Sequence, residues 1–207
     1  MSLLVKNLIT IVISYLVGSI SPAIILGRAR GIDIKKEGSG NAGTTNVLRV
    51  MGGKAAVITL AVDILKGFLP VIIFGSVFAE GNYAALACLF AFWGHVFPVY
   101  YGFKGGKGVA VAFGGLLGLN WKIALLCLLT VVVFTLISKR MSVGSIAGAI
   151  SAIPYTLWLE PKAMPFIAVM ALIIVIMHRG NIKRLINHEE PPLGFLDKNR
   201  KNKEEGK

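Results

Sequence analysis

Long uninterrupted apolar runs, broken by short polar segments, dominate the pattern of this chain. Set against the roughly 20 residues a helix needs to cross a bilayer, the runs predict crossings at Leu3–Leu26, Ala55–Phe78, Tyr83–Tyr100, Val109–Leu119, Trp121–Ile137, Val143–Leu159 and Pro165–Met177. The expected fold is all-α, a polytopic membrane bundle of seven transmembrane helices. The fourth run is short and rich in glycine, which leaves two readings: a tilted or partly inserted segment of the kind that lines a cavity inside a protein, and an ordinary short span. The first run does not read as a cleaved signal. One basic residue, Lys6, precedes it, and the small pair Ser19 and Ser21 is followed at once by Pro22, while the apolar run continues to Leu26 and ends at Arg28.

Composition agrees with lipid as the solvent. Hydrophobic residues make up 55% of 207 positions and charged residues 15%, with a mean hydropathy of +0.73. Charge then sets the orientation. Eighteen Lys and Arg residues fall in the alternate connections and the C-terminal tail on one side, against Lys6, Lys122 and Lys162 on the other, with Lys66 inside a span. Lys/Arg excess marks the cytoplasmic face, so the N-terminus is expected outside and the C-terminus in the cytoplasm. Residues 1–190 read as one membrane domain, and 191–207 as a charged, disordered tail. The net charge of +12 would suggest nucleic acid in a soluble protein. Outside the spans there is no basic patch interleaved with aromatics, so nucleic acid is not expected and anionic headgroups or phosphorylated substrates are. Cys88 and Cys127 lie inside apolar runs, without metal-ligand or disulfide spacing.

Three polar segments on the basic face carry the unusual chemistry. The first, from Glu37 to Arg49, holds Gly38, Gly40 and Gly43, whose backbone N–H groups can form an anion nest. The Ser39, Thr44 and Thr45 hydroxyls and the Asn41 and Asn46 amides can supplement it, and Arg49 can clamp a phosphate in bidentate fashion. It is neither a Walker loop nor a dinucleotide fingerprint, and a flexible polar connector is the bland alternative. The second, Gly94–Gly108, sets Lys104 and Lys107 around two glycines behind His95. Interfacial anchoring explains the lysines and the aromatic residues but not the glycines. His95 reads as a buried hydrogen-bonding partner in preference to a base. The third, His178–Leu185, puts His178 and Asn181 three residues apart, on one face if helical, with Arg179, Lys183 and Arg184 suited to headgroups. Asp63 and Lys66, three apart inside a span, are either functional or a self-satisfied ion pair.

Taken together, Gly38–Arg49, Gly94–Pro98 with Gly102–Gly108, His178–Leu185 and Asp63–Gly67 closely resemble the bacterial acyl-phosphate-dependent glycerol-3-phosphate acyltransferases, in the right order across essentially the whole chain. The resemblance implies an enzyme of phospholipid synthesis in the bacterial cytoplasmic membrane. It would move a fatty acyl group from acyl phosphate to the 1-hydroxyl of glycerol 3-phosphate, releasing lysophosphatidate and inorganic phosphate. Carried over residue by residue, Ser39, Arg49, Lys107, His178 and Asn181 form the catalytic set. Gly38, Gly40, Asn41, Thr45, Asn46 and Lys104 bind substrate phosphate. No cofactor is implied, and the scattered acids Asp33, Glu37, Asp63, Glu80 and Glu160 indicate no metal site. The His-x4-Asp pair of other glycerolipid acyltransferases is absent, since Tyr100, Lys183 and Leu193 stand in the corresponding place after the three histidines. That favours catalysis by positioning and electrostatics, with the donor's own phosphate oxygen as proton acceptor and His178 as general base the second option. An organic-phosphate permease also fits the spans, but no internal repeat is present and the charges gather at one face.

Overall fold

In the computed structural model, which describes residues 1–79 and 81–193, ten α-helices follow one another along the described chain. They are α1 (Leu3–Gly18), α2 (Pro22–Ala29), α3 (Thr44–Met51), α4 (Gly53–Val77), α5 (Tyr83–Val96), α6 (Val109–Leu119), α7 (Trp121–Ser138), α8 (Met141–Leu159), α9 (Met164–Met177) and α10 (Arg179–Ile186). The helices that carry the apolar runs are hydrophobic on nearly all sides, so their outer faces meet lipid and only the inner stripe is packed against protein. α7 is the extreme case, with Leu125, Leu129, Leu136 and Ile137 all exposed. The buried centre draws on every helix from α4 to α9 and includes Phe92, Val71, Leu116, Ile123, Ala152 and Met170.

Five stretches are long and apolar enough to cross a membrane: Leu3–Ala29, Gly53–Val77, Tyr83–Tyr101, Trp121–Ser138 and Met141–Leu159. A sixth qualifies only if Pro161–Met177 and Arg179–Ile186, bent by 52° at His178, are taken as one span. The expected fourth crossing is α6, whose 11 residues reach roughly 16 Å, about half of the hydrocarbon thickness. Its shortness has local causes: Gly108, at a φ of 84°, starts it, and Asn120 ends it by turning extended and capping Lys122 N–H of α7 at 3.0 Å.

The first span differs from the single helix expected. It breaks between α1 and α2, where the Ser21 hydroxyl caps Ile24 N–H at 3.4 Å and Pro22 occupies the first helical turn. Where α4 and α6 cross, glycines bring the backbones together. A Cβ on Gly67 would lie 3.0 Å from the Val111 carbonyl carbon, and one on Gly114 would lie 2.8 Å from that of Ile64. Of the tail expected from Pro191 onward, Pro191–Leu193 is described, and Leu193 is buried with its N–H donating to the Lys139 carbonyl at 2.9 Å. The disorder expected for 194–207 lies outside the described residues.

Candidate active site

The three polar segments meet at one end of the bundle around a cavity of about 380 Å³. Its polar end is lined by Ser39, Asn41, Thr45, Arg49, Lys107, His178 and Asn181, all expected from sequence. From there an apolar arm runs into the bundle between α6, α8 and α9, past Phe113, Ala149, Ala152 and Met170 to Leu116 and Ile167. His178 and Ile167 are eleven positions apart in the sequence, which on a helix corresponds to roughly 16 Å.

The first segment is shaped by Asn46. Its side-chain oxygen accepts the Ser39 N–H at 2.8 Å, and its amide donates to the Ile34 carbonyl at 3.2 Å and the Glu37 carbonyl at 3.0 Å. Both N–H groups are therefore committed, and the residue is 1% exposed. Asn46 borders the cavity as a clamp on the loop, where the sequence suggested a direct phosphate ligand. Gly38 and Gly40 adopt φ of 60° and 68°, and they shape the turn without lining the cavity. Asn46→Ala leaves the Ser39 N–H and two carbonyls without this partner. A stability loss of about 2 kcal/mol is expected, read as a lowered denaturation midpoint in detergent.

Lys104 and Lys107 are not presented together, as the paired spacing suggested. Lys104 is exposed and away from the cavity, on the side where Lys35 donates to the Tyr101 carbonyl at 3.3 Å. Burial lowers the Lys35 pKa, and the nearby charges of Lys104 and Arg28 add to that against Asp33. Lys107 faces the site and donates to the Asn181 side-chain oxygen. Burial, helped by the charges of Arg184 and Arg49 and opposed by Glu190, lowers its pKa to about 8.

His178 occupies the bend between α9 and α10 and is 3% exposed. Its Nδ1 lies 2.7 Å from the Ile174 carbonyl, one turn back. A carbonyl only accepts, so Nδ1 carries the hydrogen and Nε2 is left as an acceptor. Burial first, and the Lys107 charge second, depress its pKa to about 4 against the raising effects of Ile174 and Glu190. The ring is neutral at physiological pH and a weak base.

Glu190 was not among the residues expected from sequence. It is 5% exposed. One carboxylate oxygen accepts from Ser142 Oγ at 2.8 Å and Asn181 Nδ2 at 2.6 Å, and the other from Arg184 Nε at 2.7 Å. Its backbone carbonyl accepts from Arg140 Nε at 2.9 Å. Although burial alone would raise its pKa, these hydrogen bonds and the Arg184 charge hold it below the usual carboxylate value. Glu190 thus sets the Asn181 amide so that its oxygen faces Lys107. The sequence signal was the rarity of acids on a face crowded with cations. Among the described residues no three His, Cys, Asp or Glu side chains gather as a metal-holding group.

A cationic mouth on an apolar arm suits an amphiphilic anion. The family model for glycerol-3-phosphate acyltransferase matches residues 8–188. Glycerol-3-phosphate acyltransferases of Shewanella oneidensis and Shewanella halifaxensis are 41% and 40% identical, over 92% of this chain and 94% and 96% of theirs. The crystal structure of PlsY (YgiH), an integral membrane glycerol 3-phosphate acyltransferase, in its glycerol 3-phosphate form is 34% identical with a TM-score of 0.88, over 92% of this chain and 96% of that one. Its lysophosphatidic acid form gives a TM-score of 0.85. With the fold and most of the length shared, this chain belongs to the glycerol-3-phosphate acyltransferase family.

Proposed function

We propose that this enzyme transfers a fatty acyl group from acyl phosphate to the 1-hydroxyl of glycerol 3-phosphate, giving lysophosphatidate and inorganic phosphate. The observation that carries the reading is the junction itself: Arg49, Lys107, His178 and Asn181 stand at the mouth of an apolar arm. An acyl chain lies in the arm, and its phosphate and that of the acceptor share the cationic end. The 1-oxygen attacks the acyl carbon, the bond from that carbon to the phosphate oxygen breaks, and phosphate leaves with the electron pair. The hydroxyl proton passes to a phosphate oxygen of the donor. Lys107 and Arg49 offset the charge that develops on the leaving phosphate. His178 Nε2 accepts a hydrogen bond from the glycerol hydroxyl and orients it. A pKa of about 4 suits that task better than proton abstraction at neutral pH.

In the membrane, the five long spans, α9 and the short α6 together make seven passages, the N-terminus outside, and α10 lies beyond the last of them. The site then faces the cytoplasm, where the soluble acceptor meets a lipid-borne donor. Purified protein given acyl phosphate and labelled glycerol 3-phosphate without added metal should form labelled lysophosphatidate and one phosphate per turnover. Label that crosses vesicles unchanged would replace this reading with the permease.

The arm also makes a size prediction. Ala149 is 7% exposed and lines it, so Ala149→Phe fills its middle. Discrimination against long acyl phosphates in favour of short ones should rise on the order of tenfold in kcat/KM, measured across a series of chain lengths. An unchanged ratio places the chain elsewhere.

A further inference from the structure

Beneath the cationic mouth lies a second set of polar groups that the proposed reaction does not use. Asp63 and Lys66 of α4 and His95 of α5 are 1%, 4% and 6% exposed within the bundle. Lys66 Nζ is 2.8 Å from Asp63 Oδ1, so the pair neutralises itself, and the same ammonium donates at 2.5 Å to the Ile20 carbonyl in the break between α1 and α2. Asp63 Oδ1 also lies 3.5 Å from His95 Nδ1. Asp63 Oδ1 is thus the atom that the Lys66 ammonium and the His95 ring both face.

His95 in turn supports the loop that carries Lys107. Its carbonyl accepts the Gly106 N–H at 3.2 Å, and the Val96 carbonyl accepts that of Gly105 at 3.0 Å. The imidazole fills the space beside Gly106, so that a Cβ there would meet Nε2 and lie 2.8 Å from Cε1. Lys107 follows directly, and its ammonium reaches Asn181. Asp63 and His95 both border the cavity.

We propose that Asp63 and His95 form a positioning strut that, through the His95 ring, fixes the height of the 104–108 loop and hence the place of the Lys107 ammonium, while Lys66 neutralises Asp63 and ties α4 to the broken first span. Asp63 and His95 are positioning residues, acting through Lys107. The inference rests on the acyl-transfer reading, which native turnover in the same assay decides first.

Two double variants isolate the link. Asp63→Asn with Lys66→Met and Asp63→Leu with Lys66→Met both remove the charge pair and the tie to Ile20, so they share its folding cost. Only the asparagine still offers an oxygen to His95. The first should retain kcat within about threefold of native, and the second should lose on the order of 10- to 100-fold, the cost of misplacing a reacting group. The second should also move the alkaline limb of its pH–rate profile upward from about 8, because a displaced Lys107 regains water. Should neither double variant elute as a folded monodisperse species, His95→Phe keeps the ion pair and the ring volume and must show the same loss. Equal activity of the two double variants, or native kcat in His95→Phe, overturns the strut. A silent native enzyme instead overturns the acyl-transfer reading.

Discussion

Lys107→Met should lower kcat on the order of 10²- to 10³-fold, the usual cost of removing one donor from a preorganised charge-stabilising site. The substitution keeps the stem, so packing changes little, and the loss reports the ammonium. Lys107 is the cation drawn furthest into the site: Arg49 is exposed on α3 and Lys104 lies outside the cavity. A pH profile gives a second, independent reading. Burial puts the free-enzyme pKa of Lys107 at about 8, and the charged form is the one that binds phosphate. The profile of kcat/KM should therefore be flat below that value and fall as pH rises through it, since kcat/KM reports the free enzyme. Lys107→Arg stays protonated across the range, so its alkaline fall should vanish even where its rate is reduced. An alkaline limb that persists unchanged in Lys107→Arg would assign the titration to another group.

The contrast between Lys107 and Lys104 shows where the sequence stops being informative. Long apolar runs announce helices because lipid tolerates no unpaired backbone, and each long helix appears where its run does. The same logic does not distinguish one span from a broken one. Ser19, Ser21 and Pro22 interrupt α1 and α2 through a cap and a ring, and neither changes the hydropathy. Three motif loops were legible as a set, since glycines next to cations and amides have few other uses at an interface. Which lysine turns inward was not legible, because Gly105 and Gly106 fold back onto Val96 and His95 and that return decides the direction. Asn46 reads as one more amide in a phosphate loop until its contacts with Ser39, Ile34 and Glu37 show it holding the loop instead. The Asp63–Lys66 pair was visible as a spacing, but its link to His95 depends on a crossing of α4 and α5 that no local pattern encodes.

Glu190→Ala should be the most destabilising single change at the site, on the order of 3 kcal/mol, with loss of turnover in the fraction that stays folded. The carboxylate gathers Ser142 from α8 with Asn181 and Arg184 from α10. Removing it strands the buried Ser142 hydroxyl, the half-buried Asn181 amide and one cation at once, and leaving donors unsatisfied costs more than the net worth of the bonds. Arg184 is half-exposed and can turn to water, so most of the cost falls on Ser142 and Asn181. Glu190→Gln separates charge from shape: it keeps an acceptor for one donor but presents an amide to Arg184, so it should fold better than the alanine and still be impaired. The effect has a pH signature. Glu190 titrates below its ordinary value when folded, so its contribution is complete above the unfolded carboxylate pKa and fades as pH falls through the folded one. Native protein should accordingly lose thermal stability on acidification more steeply than Glu190→Gln, measured as unfolding midpoints in detergent from neutral pH downward. Parallel curves would mean that Glu190 shapes the site without carrying the charge that holds α8 to α10. The position also explains why sequence passes over it: two prolines follow, and the bonds of Arg140 Nε to the Glu190 carbonyl and of Leu193 N–H to the Lys139 carbonyl hold the start of an apparent tail against the α7–α8 turn, a contact between distant segments that no local pattern encodes.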